Sequence, residues 1–222
     1  MSKILLPDSF PFDYQFLKQE LRDYASPRNK INLMLKNKEL IRIKKGLYVT
    51  SLEKTDPFVL ACLIYGPSYV SLESALSYWG LIPERVNTIT CITNKRNKLF
   101  STPAGRFNYT YLRNSAFSVG VDIVAGKSGS FFIATPEKAI CDRTALVKKL
   151  RLKDVAQFLE DDLRTDMDDL KLDTDRLQKI SEHYHCSSVQ SFTSWYMGKV
   201  TSNQRSASVA AALSIRTITP RH

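Results

Sequence analysis

The sequence predicts an α+β fold, and three observations carry that expectation. Two helix signals and a short basic hairpin fill the first fifty residues. Four strand-like segments follow between helix signals in residues 86–134, and three amphipathic helical patterns close the chain. The chain has 222 residues, of which 43% are hydrophobic and 24% charged, an ordinary globular composition. That much chain supports a real core, and the composition excludes collagen, a coiled-coil rod and a disordered polymer. The longest apolar run is Phe58 to Tyr65, well short of the roughly twenty residues of a membrane helix. The segment Met1-Ser-Lys-Ile-Leu-Leu-Pro7 lacks the apolar core of a secretory signal. Cys62, Cys91, Cys141 and Cys186 form no C-x-x-C pair, so a cytoplasmic protein with reduced thiols is expected.

The net charge of +10 fits a nucleic-acid partner, although basic surfaces also occur without that role. Its distribution is uneven. Residues 1–50 hold ten basic and five acidic side chains, residues 51–150 twelve and seven, and residues 151–222 ten of each. The excess is densest at the N-terminus, which predicts a small basic module (1–50) joined to a larger body (56–200). Residues 201–222, rich in Ser, Thr and Ala and without clear periodicity beyond Val209–Leu213, read as a tail.

Within the module, Phe12–Tyr24 reads as a helix whose Tyr14, Leu17, Leu21 and Tyr24 form one apolar stripe. Phe16 lies outside that stripe, so it either widens the buried face or touches the next domain. Ser26-Pro27 is a strong helix start, with serine as N-cap and proline at the first helical position. The second helix runs to about Lys38, placing Ile31, Met34 and Leu35 on one face and Arg28, Asn29, Asn32 and Lys36 on the other. Those four side chains carry the donors that read base edges and phosphates, or they form a solvated surface. Leu40–Val49 then reads as a hairpin turning at Lys45-Gly46, with Ile41, Ile43 and Val49 inward and Arg42 and Lys44 outward. Helix, turn, helix and basic hairpin is the order of a winged helix-turn-helix, in which Arg42, Lys44 and Lys45 would follow the DNA backbone. Such a domain has a third helix, for which Pro57–Tyr65 is a candidate.

In the body, Asp56-Pro57 opens a helix that ends at Gly66-Pro67 and, being apolar all round, should be buried. Ser71-Leu-Glu starts another, ending at Gly80. Strands are expected at Val86–Thr93, Arg106–Leu112, Val119–Ala125 and Phe131–Ala134, the last two joined through Gly126-Lys-Ser-Gly129. Thr135-Pro-Glu caps a helix running to about Lys149. The result is a short mixed sheet flanked by helices. The loop Asn94-Lys95-Arg96-Asn97-Lys98 is either a second nucleic-acid contact or a solubilising loop. Val155–Leu163, Leu177–Tyr184 and Val189–Tyr196 show helical amphipathicity. The acidic stretch 160–169 suits a solvated face, a helix cap or a basic partner.

Catalytic patterns are weak. His183 and His185 would point about 200° apart on a helix and cannot share an ion there. No histidine precedes position 183, which disfavours a Ser-His hydrolase. Gly129-Ser130 is followed by Asp142-Arg-Thr rather than an Asp-x-Asp pair, so two-metal nucleotidyl transfer has no seat. A nuclease reading of Asp122 with Glu137-Lys138 misses the acidic-x-Lys spacing by one residue. Lys138 and Asp142 read instead as a surface i,i+4 bridge. No enzyme and no cofactor is expected.

Ser26-Pro-Arg28 with Ile41-Arg-Ile-Lys-Lys-Gly-Leu-Tyr48, then Ser68-Tyr-Val-Ser-Leu-Glu-Ser-Ala-Leu-Ser-Tyr-Trp-Gly-Leu-Ile82 and Ala134-Thr-Pro-Glu-Lys-Ala-Ile-Cys-Asp142, resemble the AbiEi-type antitoxins of type IV toxin–antitoxin (abortive infection) systems. The resemblance spans roughly residues 10–200. It implies an N-terminal winged helix repressing its own operon at operator DNA with inverted repeats. It further implies a C-terminal domain that counteracts a cognate nucleotidyltransferase toxin without stable binding. Two alternatives stay open: a winged-helix transcription factor with a ligand- or protein-sensing body, and an antitoxin that binds its toxin through the acidic stretch.

Overall fold

A computed structural model describes residues 6–83, 87–167 and 170–216, without the side chains of residue 114 and residues 206–216. The architecture is mixed α+β, with a three-stranded and a six-stranded sheet.

The first unit starts with the short strand β1 (Phe12–Asp13), followed by α1 (Tyr14–Glu20) and α2 (Pro27–Lys36). A hairpin of β2 (Ile41–Lys44) and β3 (Leu47–Val49) completes it. The first helix is shorter than its apolar pattern suggests. Phe12 is used in a strand, and Asp13 caps α1 by accepting from the Phe16 N–H at 2.8 Å. The sheet order is β1-β3-β2, all antiparallel. Phe12, Leu17, Leu21, Ile31, Met34, Leu40 and Tyr48 form a small separate core, and Phe16 widens it rather than reaching outward. On its other face the sheet presents Ile43, Leu47 and Val49 to the main core. A β-sheet buried on both faces in this way fixes its unit against the rest of the molecule.

The body contains α3 (Pro57–Ile64), β4 (Ser68–Val70), α4 (Leu72–Tyr78), β5 (Thr88–Thr93), β6 (Lys98–Thr102) and β7 (Gly105–Tyr111). It continues with α5 (Asn114–Phe117), β8 (Val121–Gly126), β9 (Gly129–Ala134) and α6 (Pro136–Ala145). The strand order is β6-β7-β5-β4-β9-β8. The pairs β5/β7 and β4/β9 are parallel and the rest antiparallel. Tyr109 Oη donates to the Ala61 carbonyl of α3 at 2.6 Å, while Tyr69 Oη reaches α6. Helix α3 therefore covers one face, and α4 and α6, packed on each other, the opposite one.

The third-helix candidate is corrected. Helix α3 packs on β4 and β9 of the large sheet, and what completes the small unit is strand β1. Nor is α3 buried all round: Leu63 is 48% exposed and Cys62 partly so, because only one face meets the sheet. Strands β4 and β6 were not expected, and Lys98 lies in β6 rather than in the loop. The start of the Val86–Thr93 segment falls outside the described residues, as do residues 168 and 169 of the acidic stretch.

At the C-terminal side, Leu152–Asp154, α7 (Val155–Gln157) and a wide turn at Phe158–Asp162 form one irregular helical segment. It is followed by α8 (Thr174–Ser181) and α9 (Ser187–Arg216), both packed on α6. Residues 201–216 continue α9. Among the described residues, no helix is long and apolar enough to cross a membrane.

Candidate nucleic-acid interface

Helix α2 buries Ile31 and Met34, which turns Arg28, Asn29, Asn32 and Lys36 to solvent. The hairpin lies beside it. Arg28 and Asn32 of α2, with Arg42, Lys45 and Gly46 of the hairpin, line one groove of about 570 Å³ that Tyr14, Ile31 and Tyr48 complete. None of the described residues that line it is acidic. Three cationic side chains and one amide from two elements thus converge on a single concavity, a donor set that matches phosphates and base edges. Asn29 and Lys36 are exposed outside the groove lining.

The sequence pattern gives Tyr48 no role. It pairs with Arg42 across the hairpin, and the guanidinium sits 6.0 Å from the ring centroid. This cation–π contact holds Arg42 toward α2. The sequence carries no signal for this pair: a regular hairpin turning at Lys45-Gly46 opposes Arg42 to Val49, and only a bulge after Arg42 brings it opposite Tyr48.

Lys44 is not part of this groove, which corrects its expected place beside Arg42. The β2/β3 register shifts between Arg42 and Lys44, a bulge. An extra residue in a strand breaks the two-residue alternation, so Lys44 shares the face of Ile43 and Leu47 rather than that of Arg42. Its Nζ donates to the Ile64 carbonyl at the end of α3, at 2.5 Å. Burial, then the ammonium groups of Lys95 and Lys98, lower the Lys44 pKa below the usual lysine range.

Lys95 and Lys98 meet Lys44 at this second place. Lys95 Nζ donates to the Gly66 carbonyl, and the Lys95 and Lys98 ammonium groups lie 5.4 and 5.6 Å from the Tyr65 ring centroid. Three lysines therefore gather around the C-terminal end of α3, where unsatisfied carbonyls and the helix dipole favour cations. Arg96 is exposed at the tip of the same loop. The loop is thus anchored to the body through Lys95 and presents Arg96 outward.

The sequence spacing makes Lys138 and Asp142 of the capped helix a surface ion pair, whereas the fold buries that pair. Lys138 and Asp142 are both 0% exposed, with Nζ and Oδ1 3.1 Å apart. Lys138 also donates to the Ala116 carbonyl and to Tyr184 Oη. Asp142 accepts from Tyr69 Oη at 3.0 Å, from Ser71 Oγ at 2.7 Å and from Tyr184 Oη. Burial and then the Asp142 charge push both tyrosines well above the usual phenol range, so they remain donors. With Lys138 donating to three acceptors and Asp142 accepting from four donors, the pair is fully satisfied. It has no face open to a substrate, and it ties β4, α4, α6, the α5 region and the α8–α9 connection together.

His183, Tyr184, His185 and Cys186 lie between α8 and α9 rather than within a helix, with the His183 Nδ1 bonded to the Lys179 carbonyl. Among the described residues, no three His, Cys, Asp or Glu side chains cluster to hold a metal ion. No family model and no curated protein matches the chain.

Proposed function

We propose that the chain is a DNA-binding antitoxin that represses its own operon and counteracts a nucleotidyltransferase toxin. The observation that carries the DNA reading is the groove that Arg28, Asn32, Arg42 and Lys45 line together, with no acidic side chain among its described lining residues. Element order supports it further. Strand, helix, helix and hairpin, with the first strand paired to the last, is an order compatible with the strand, helix-turn-helix and wing of a winged helix-turn-helix. In this reading residues 1–50 bind operator DNA, α2 enters the major groove, and the Lys45 turn lies on the backbone.

The antitoxin reading rests on the resemblance of Ser68–Ile82 and Ala134–Asp142 to the AbiEi family. One structural fact supports treating those two segments as a unit: Tyr69 and Ser71 of the first bond directly to Asp142 of the second. A neighbouring nucleotidyltransferase gene whose toxicity is relieved by co-expression of this chain is the expected genetic result. Unrelieved toxicity would remove the antitoxin half and leave the DNA half standing.

The DNA half is tested separately. Fluorescence anisotropy with DNA from upstream of the gene should show binding that Arg28→Ala plus Arg42→Ala weakens by about a hundredfold or more, two charge-assisted contacts being lost. Equal affinity of a correctly folded double variant would refute the interface. A second reading, a DNA-binding regulator with a sensing body, is favoured by an uncharged pocket beside α3.

A further inference from the structure

Between the segment preceding β1 and helix α3 lies a pocket of about 550 Å³, a size typical of small-molecule sites. Phe10 and Pro11 line it from the N-terminal segment, Val59, Cys62 and Leu63 from α3, and Phe132 from β9. Three of its apolar side chains (Phe10, Leu63 and Phe132) are about half exposed although large. Apolar surface left open around a concavity marks a binding site more often than a scattered exposed residue does.

Two independent features define what would occupy it. First, none of the described residues that line it is charged. A carboxylate, phosphate or ammonium group entering here would lose its water without gaining a counter-ion. Second, Ser68 lines the pocket and is 7% exposed, and its buried hydroxyl has no hydrogen-bond partner among the described residues. A buried hydroxyl left unpaired is costly, and a ligand that pairs with it recovers that cost. The other buried hydroxyls there are engaged: Tyr69 Oη donates to Asp142, and Ser128 Oγ accepts from the Asp56 N–H at 2.8 Å.

We propose that this pocket binds a neutral, largely apolar small molecule carrying one hydroxyl or carbonyl group, which hydrogen-bonds to Ser68. The proposal does not depend on DNA binding or on the antitoxin reading, and its test uses neither. The Phe10-Pro11 wall leads directly into β1, and it is held by bonds from Thr50 Oγ1 to the Pro7 carbonyl and from Thr55 Oγ1 to the Ser9 carbonyl. The site thus adjoins the small N-terminal sheet.

The probe is N-phenyl-1-naphthylamine, a neutral fluorophore nearly dark in water. Titrating the full chain should give saturable enhancement at one probe per chain. 1-Naphthol should displace it about fivefold better than naphthalene, the worth of one hydrogen bond to an otherwise unpaired hydroxyl. In Ser68→Ala that preference should collapse while naphthalene competes as before, an outcome that a general packing defect would not produce. Leu63→Trp should weaken the probe roughly tenfold by filling the space. Ser130→Phe, at an exposed lining position, serves where the first variant does not fold. Non-saturable binding, several probes per chain, a naphthol preference that survives Ser68→Ala, or undiminished binding in a folded filled variant would each overturn the proposal.

Discussion

Asp142 shows most sharply how a single residue changes meaning when its neighbours are known. On the helix alone it is the partner of Lys138 four residues earlier and belongs to water. In the fold it accepts from three hydroxyls and one ammonium, all buried. Removing one member of such a pair strands the other charge, which costs about 3–5 kcal/mol. Asp142→Ala should therefore lower stability by that amount in urea unfolding. A double change to apolar residues, Lys138→Met with Asp142→Leu, should recover part of the loss, because no orphan charge remains. A double variant less stable than Asp142→Ala would count against burial of the pair. Cys62 offers a second reading at this scale. Burial, as the largest cause, pushes its thiol up to about 11. Alkylation requires the thiolate, so Cys62 should react at pH 8 roughly a hundredfold more slowly than a free cysteine, from the thiolate fraction alone. Its rate should keep rising beyond pH 10. A rate that levels off near pH 9 would show an ordinary thiol.

The hairpin carries the lesson at the scale of the element. Strand alternation placed Arg42 and Lys44 on one face, and the bulge between them put them on two. Alternation is legible in ten residues of sequence, whereas a bulge depends on how β3 pairs with both β1 and β2. The expected division of labour follows. Lys45→Ala should reduce the slope of log affinity for DNA against log salt by about one. Lys44→Ala should leave that slope unchanged and cost about 1 kcal/mol of stability, since it removes one hydrogen bond to the Ile64 carbonyl. Equal effects of the two variants on the slope would return Lys44 to the interface. Helix starts were legible for the same local reason that the bulge was not: Pro27, Pro57 and Pro136 each begin a helix at the position their ring geometry favours. The sequence pattern does not mark strands β4 and β6, because the first has three residues and the second is an edge with Leu99 outward. The burial of Lys138 is unmarked too, because its partners Ala116 and Tyr184 lie 22 and 46 residues away.

Six thiols and phenols distributed across the main core lean one way. Burial raises the thiols of Cys62, Cys91 and Cys141 and the phenols of Tyr69, Tyr109 and Tyr184 above their ordinary values. All six are acids that are neutral when protonated. Unfolding returns them to ordinary values, near pH 8.5 for a thiol and 10 for a phenol. Above those values the unfolded chain sheds protons that the folded chain keeps, so it binds fewer protons and stability falls as pH rises. The contribution is complete below about pH 8 and is lost through the window from roughly pH 8.5 upward, as each group adds about 1.4 kcal/mol per pH unit. Lys44, a base with a lowered value, acts in the opposite sense, and one group against six does not reverse the trend. Urea midpoints should therefore hold steady from pH 7 to 8 and then decline with a slope that steepens past pH 10. Cys141→Ala isolates one term: it is expected to start less stable, having lost buried volume, and to decline less steeply between pH 9 and 10 by one proton. A flat profile from pH 8.5 to 10.5 would mean that these side chains meet water in the folded state, and the main core would then be packed differently from the one described.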